Sequence, residues 1–191
     1  MLKYRLISLA LILTLTISYT FAQENMAPER KRAIDSLAIE KVRDVSKYIS
    51  IIGSKSTPFS EANRVIDRAL ELFAPKSQIG VSSISSSQIK YYPIKKYFQR
   101  IMALNYTKVN ISWYEIHYIS DLEKQPDGRY VGVITIYQRF EGSNDEGLQY
   151  SDVTKKDITI YVDQKKTQVN GESVDFWDVL LGDIKVTETK K

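Results

Sequence analysis

The sequence predicts an α+β domain: three N-terminal helices packed on one strongly bent antiparallel sheet, with a short hairpin between the second and third helices. Two observations carry this. Apolar residues recur at steps of three and four up to about Leu104, and at steps of two from there to about Thr187. Proline, glycine and asparagine fall where one pattern stops and the next begins.

The elements follow in order. Over 29–52, Ile34, Leu37, Ala38, Val42, Val45, Ile49 and Ile52 form one helical stripe. Gly53 is expected to stop it with a left-handed dihedral. Thr57 is the expected N-cap of the second helix, with Pro58 at its first position, where a missing N–H costs nothing. Ala62, Val65, Ile66, Ala69, Leu70 and Phe73 make its stripe, and Pro75 ends it. Gln78 to Tyr92 alternates apolar and small polar residues, the pattern of two short strands around a serine turn. Pro93 opens a third helix carrying Ile94, Tyr97, Phe98, Ile101 and Leu104. Four long strands follow at about 106–121, 129–141, 149–163 and 174–187. Gln125-Pro-Asp-Gly128, a polar loop from Gly142 to Gly147, and Asn170-Gly171 connect them.

Residues 1–22 are expected to be a signal peptide. Lys3 and Arg5 precede an apolar run from Leu6 to Tyr19, and Ala22 supplies the small residue before a cut. That run is shorter than the roughly 20 residues a spanning helix needs. Residues 23–28 form a flexible lead, 29–187 a single domain and 188–191 a polar tail. The expected location is outside the cytoplasm, periplasmic or extracellular, with no stable transmembrane segment once the leader is removed.

Composition excludes several chemistries. The chain has 191 residues, no Cys and one His, His117. Disulfides, a Cys-ligated zinc, a thiol nucleophile and a multi-His metal site are therefore out, and neither a metal nor a cofactor is expected. Losing Lys3 and Arg5 lowers the net charge from +4 to +2. The densest basic stretch, Glu29-Arg-Lys-Arg32, contains an acid and opens a helix; no nucleic-acid partner is expected. There is no glycine-rich phosphate loop and no Gly-x-Ser-x-Gly elbow.

Two segments carry a family likeness within this element order. Ala69-Leu-Glu-Leu-Phe-Ala74 leads into the first short strand, and Ile94-Lys-Lys-Tyr-Phe-Gln-Arg-Ile101 leads into Val109-Asn-Ile-Ser-Trp113. From about Leu37 to Val186 the chain resembles the nuclear transport factor 2-like superfamily, the cone fold shared with ketosteroid isomerases. The resemblance implies a bent sheet wrapped around a long helix, enclosing a cone-shaped cavity. For the isomerases it also implies a carboxylate base in the short-strand region. Here that region reads Ile79-Gly-Val-Ser-Ser-Ile84, without Asp or Glu. A carboxylate base must reach the proton it abstracts. No catalytic residue is assigned, and the departure weighs against an enzyme.

Strand parity nominates a pocket. Trp113 shares parity with Val109, Ile111, Glu115 and His117. Gln138 shares parity with Ile134, Ile136 and Phe140, while Lys156 shares it with Asp152, Thr154, Ile158 and Ile160. An apolar cone tip with a polar mouth follows, suited to a small apolar ligand, with Trp113, Glu115, His117, Gln138 and Lys156 as candidate ligand-binding residues. Glu115 and His117 would make an acid/base pair on a regular strand; a bulge near Tyr114 would change that parity. On the other parity, Val133 and Tyr137 make an apolar outer face, and Trp177 and Val179 do the same on the last strand. These four are candidate interface residues. The leading functional expectation is a non-catalytic exported module that associates through the sheet face, as a homodimer or with an envelope protein. The alternative is a small-molecule-binding or isomerase/lyase-like protein using the cavity.

Overall fold

In the computed structural model, residues 26–118 and 120–190 are described. The expected signal peptide and the first residues of the lead lie outside them. Three helices and a seven-stranded mixed sheet make an α+β domain. Helix α1 (Pro28–Gly53) buries Ile34, Ala38, Val42, Val45, Ile49 and Ile52, the stripe its spacing predicts. Pro28 belongs to its first turn, so the helix starts where the lead was expected to end.

Both expected helix boundaries need correction. Gly53 does not take a left-handed dihedral; it is the last helical residue, and Ser54 turns the chain out in an extended conformation. Its role is close approach. A Cβ there would lie 3.3 Å from Ile101 Cγ2 and 3.6 Å from Val109 Cγ1. Helix α2 (Phe59–Leu70) starts one residue later than expected. Pro58, not Thr57, is the N-cap, and its carbonyl accepts from the N–H groups of Glu61 and Ala62. The helix also ends well before Pro75. The segment after it is tied to a later strand, where Ala74 N–H donates to Leu181 O and Leu181 N–H to Leu72 O.

Strands β1 (Gln78–Ser83) and β2 (Ser86–Pro93) form the expected hairpin, followed by α3 (Ile94–Met102). Then come β3 (Lys108–Tyr118), a two-residue β4 (Glu123–Lys124), β5 (Tyr130–Asn144), β6 (Gly147–Val169) and β7 (Glu172–Lys190). The sheet order is β2-β1-β7-β6-β5-β3, with β4 beside β5. The sheet is not wholly antiparallel: β1 runs parallel to β7, with Ile79 opposite Ile184. A period of two is blind to strand direction.

The late strands are longer than their sequence pattern suggests. Asn144 pairs with Gly147, so Gly142–Gly147 is not a loop but strand closed by a two-residue turn. Residue 190 still pairs, opposite Val153, so the expected polar tail is strand through that position. Asn170 and Gly171 both have positive φ, as a two-residue hairpin turn of the favoured hand requires. Beyond Val162, β6 pairs only with β7, and residues 164–176 project as an exposed two-stranded arm.

The sheet curls. Helix α1 packs against both β3 and β7, which are separated by β5 and β6. Three strand spacings span roughly 14 Å on a flat sheet. A helix about 10–12 Å across reaches both only if the sheet bends around it. Ile134, Ile136, Ile158, Ile160, Val179, Leu181 and Ile184 line the inner face, fully buried. Among the described residues no helix is long and apolar enough to cross a membrane.

Candidate functional site

A cavity of about 210 Å³ opens between α3, β1, β5 and β6. Its apolar walls include Val81, Ile101, Leu104, Ile111 and Phe140. Its polar groups converge on one side chain. Gln138 Oε1 accepts from Trp113 Nε1 at 3.1 Å, Tyr97 OH at 3.2 Å and Lys156 Nζ at 3.2 Å. Three donors on one atom fix it as the amide oxygen. The amide nitrogen has no hydrogen-bond partner among the described residues, and it is not sealed away from solvent. It is left to face the cavity.

Secondary structure builds this cluster. Trp113 and Gln138 are directly opposed on β3 and β5, and Gln138 is opposed by Thr154 on β6. Lys156 lies two residues along from Thr154, on the same sheet face. Tyr97 enters from α3, packed on Phe98 at the stripe the helix buries.

Lys156 is 1% exposed. Its Nζ donates to two neutral acceptors, Gln138 Oε1 and the Gly80 carbonyl at 3.3 Å, with the Tyr97 ring centroid at 5.7 Å. Burial pushes its pKa down from 10.5 to about 7, against an opposing pull from Asp152. Asp152 lines the same cavity. Its carboxylate accepts from Tyr150 OH at 2.6 Å. Burial raises its pKa, and the Tyr150 hydrogen bond and Lys156 only partly offset that. Burial likewise raises the pKa of Tyr97, which stays a neutral donor. At the mouth, Tyr106, Phe140 and Tyr150 form an edge-to-face row. Exposed Arg100 lies over the Tyr92 ring beside it.

The five expected ligand-binding residues separate into two groups. Gln138 and Lys156 line the cavity, and Trp113 braces Gln138 from behind. Glu115 and His117 lie elsewhere, both exposed. The reason is a bulge: Tyr114 pairs with Tyr137, but His117 pairs with Thr135, and Glu115 has φ 48°. Regular parity fails there, and with it the expected acid/base pair. Tyr150, Asp152 and Arg100 complete the polar rim. Asp152 carried a parity signal, and Tyr150, two residues before it on the same strand, shares that parity although it was not singled out; Arg100 carried none.

The interface candidates also separate. Val179 is 0% exposed and belongs to the core, so it offers nothing to a partner. Trp177 is half-buried on the inner side, edge-on to Tyr130 at 5.8 Å and under the Arg30 guanidinium. Val133 and Tyr137 are half-buried on the outer face. Tyr137 stacks on Tyr114, which Arg139 covers.

No protein-family model matches the chain, and no curated protein matches it. Among solved structures, a provisionally named scytalone dehydratase from Novosphingobium aromaticivorans is similar over 85% of this chain and 90% of that chain, with 11% identity and a TM-score of 0.45.

Proposed function

We propose that the chain is an exported nuclear transport factor 2-like cone domain whose cavity binds a small molecule. The ligand has an apolar body about one ring in size and a single polar head. One observation supports this above the others: Lys156 is buried at the cavity wall without a hydrogen-bonded carboxylate. Burying a charge-capable group costs several kcal/mol unless something compensates. A ligand head group held by Lys156 Nζ and the free amide nitrogen of Gln138 supplies that compensation. The size follows from volume. An apolar cavity of about 150 Å³ holds one benzene, and this one is about 210 Å³.

This favours the cavity over the sheet face as the working surface. Val179, expected on the outer face of β7, is a core residue, and so is Leu181 two residues on. Two aromatic rings on the outer face are covered by arginines, Tyr114 by Arg139 and Tyr161 by Arg129.

Titration calorimetry with benzyl alcohol tests the reading. It offers one ring and one hydroxyl. Saturable binding is expected in the millimolar range or tighter, and loss of it in Thr154→Phe, which fills the cavity from its buried wall. No saturable heat with the wild type defeats the reading.

A further inference from the structure

We propose that Lys156 is a nucleophilic amine that captures carbonyl compounds in the cavity as an imine, which makes a small aldehyde or ketone the ligand class. This rests on the cavity-binding reading above.

The geometry suits a neutral amine. A neutral Nζ has two N–H donors and one lone pair; an ammonium has three donors and no lone pair. Two acceptors are in place, Gly80 O and Gln138 Oε1. Both are neutral, and among the described residues no third acceptor bonds Nζ. With both N–H groups held, the lone pair is the remaining valence of a side chain that lines an apolar cavity. Surface lysines differ in kind. Lys31, Lys47, Lys165 and Lys190 each face a carboxylate that favours the charged form. An amine becomes a nucleophile when desolvation lowers its proton affinity, and burial acts on Lys156 in that sense.

The step balances with groups already present. The Nζ lone pair adds to the carbonyl carbon, the C=O π pair moves to oxygen, and one proton passes from nitrogen to that oxygen. The resulting hydroxyl leaves as water with a proton from a protonated Asp152 carboxyl. The iminium then returns its N–H proton to the Asp152 carboxylate. Amine plus carbonyl gives imine plus water. Asp152 fits that role, because burial holds its carboxyl toward the protonated form.

The titratable and charged groups that share the cavity with this amine come from three places. Tyr97 and Arg100 approach from α3, Tyr106 from the segment before β3, and Tyr150 and Asp152 from β6 itself. β1 and β5 contribute only neutral groups, the Gly80 carbonyl and Gln138.

The test is reductive trapping. Full-length protein is treated with benzaldehyde and cyanoborohydride at pH 7, and each lysine's N-benzyl content is read by peptide mass spectrometry. Exposed Lys76 and Lys90 are the references. Lys156 is expected to label at least about tenfold faster, since an ordinary lysine with a pKa near 10.4 is almost wholly protonated at pH 7. Excess benzyl alcohol, which has no carbonyl, should slow Lys156 and spare the references. From pH 6 to 8 the Lys156 rate should level off, while Lys76 keeps rising. Labelling of Lys156 no faster than Lys76, with benzyl alcohol still bound by calorimetry, overturns the imine and leaves the binding reading standing. Fast labelling that benzyl alcohol does not slow overturns it as well. If neither compound engages the cavity, both proposals fall.

Discussion

Trp113 and Gln138 face each other across β3 and β5, and the indole N–H donates to the amide oxygen at 3.1 Å. That single cross-strand pair fixes the amide so that its oxygen collects Tyr97 and Lys156 as well. The site therefore depends on one acceptor, and its removal is the sharpest structural test.

Gln138→Leu leaves Trp113 Nε1 and Tyr97 OH without an acceptor and Lys156 Nζ with the Gly80 carbonyl alone. Each unpaired donor costs about 1–3 kcal/mol. Urea unfolding should show a loss of about 3 kcal/mol or more. Gln138→Glu keeps an acceptor and adds charge beside Lys156, so it should lose less and raise the Lys156 pKa. Equal loss in both variants would show that the donors find other partners.

Lys156 makes stability depend on pH in a definite direction. Its folded pKa is about 7 against 10.5 when unfolded. Between those values the unfolded chain holds a proton that the folded chain has released, so stability rises with pH. The limiting slope is about 1.4 kcal/mol per pH unit for one proton. Wild-type stability should climb from pH 7 to 9.5 relative to Lys156→Met, measured as urea midpoints. Above pH 10 the raised pKa of Tyr97 acts the other way, because the folded state keeps a proton that the unfolded state gives up. Asp152 also has the opposite sign: its raised pKa lowers stability as pH climbs from 3.8 through the folded value, and Asp152→Asn should flatten that acid limb. Parallel curves for wild type and Lys156→Met from pH 7 to 9.5 would contradict the burial argument.

Glu115 sits at φ 48° within a strand. Val is a better strand former, yet a β-branched residue is strained at that dihedral. Glu115→Val should lose about 1–2 kcal/mol by thermal unfolding, on the scale of left-handed strain. Glu115→Asn should hold or gain. A stabilised Val variant would mean that the bulge moves or vanishes.

The arm past Val162 pairs with no other strand. Replacing residues 166–175 by Asn-Gly should change folding free energy by less than about 1 kcal/mol, as expected for exposed residues away from caps and cores. Benzyl alcohol affinity should be unchanged. A large loss in denaturation midpoint would reveal support that the arm gives the core.

Much of the fold is legible in the sequence because it rests on local patterns. The α1 stripe, the Pro93 start of α3 and the Asn170-Gly171 turn are each set by neighbours in the chain. Longer-range facts are not. Nothing in Gln78–Ser83 shows that it lies parallel to β7, because alternation carries no direction. Parity brought Gln138 and Lys156 to one face, since β5 and β6 stay in register from Tyr130 to Gly142. Parity failed at His117, since one extra residue at Glu115 reverses every side chain after it. It also misread β7, where Trp177, Val179 and Leu181 face inward. Tyr150 was within reach of parity, two residues before Asp152 on β6, whereas Arg100 was invisible because it reaches the cavity mouth from a separate element, α3.

The projecting ribbon leaves backbone amides and carbonyls unpaired along both of its margins, and one side carries Val169, Val174 and Phe176 at 50%, 43% and 41% exposure. Such a margin is a template on which another chain can add a strand. Lys165, Lys166, Asp175 and Asp178, paired across the ribbon, act as charged gatekeepers against that addition. Neutralising these few charges, far from the cavity, is expected to open the ribbon's margins to strand addition by another chain while leaving the core intact.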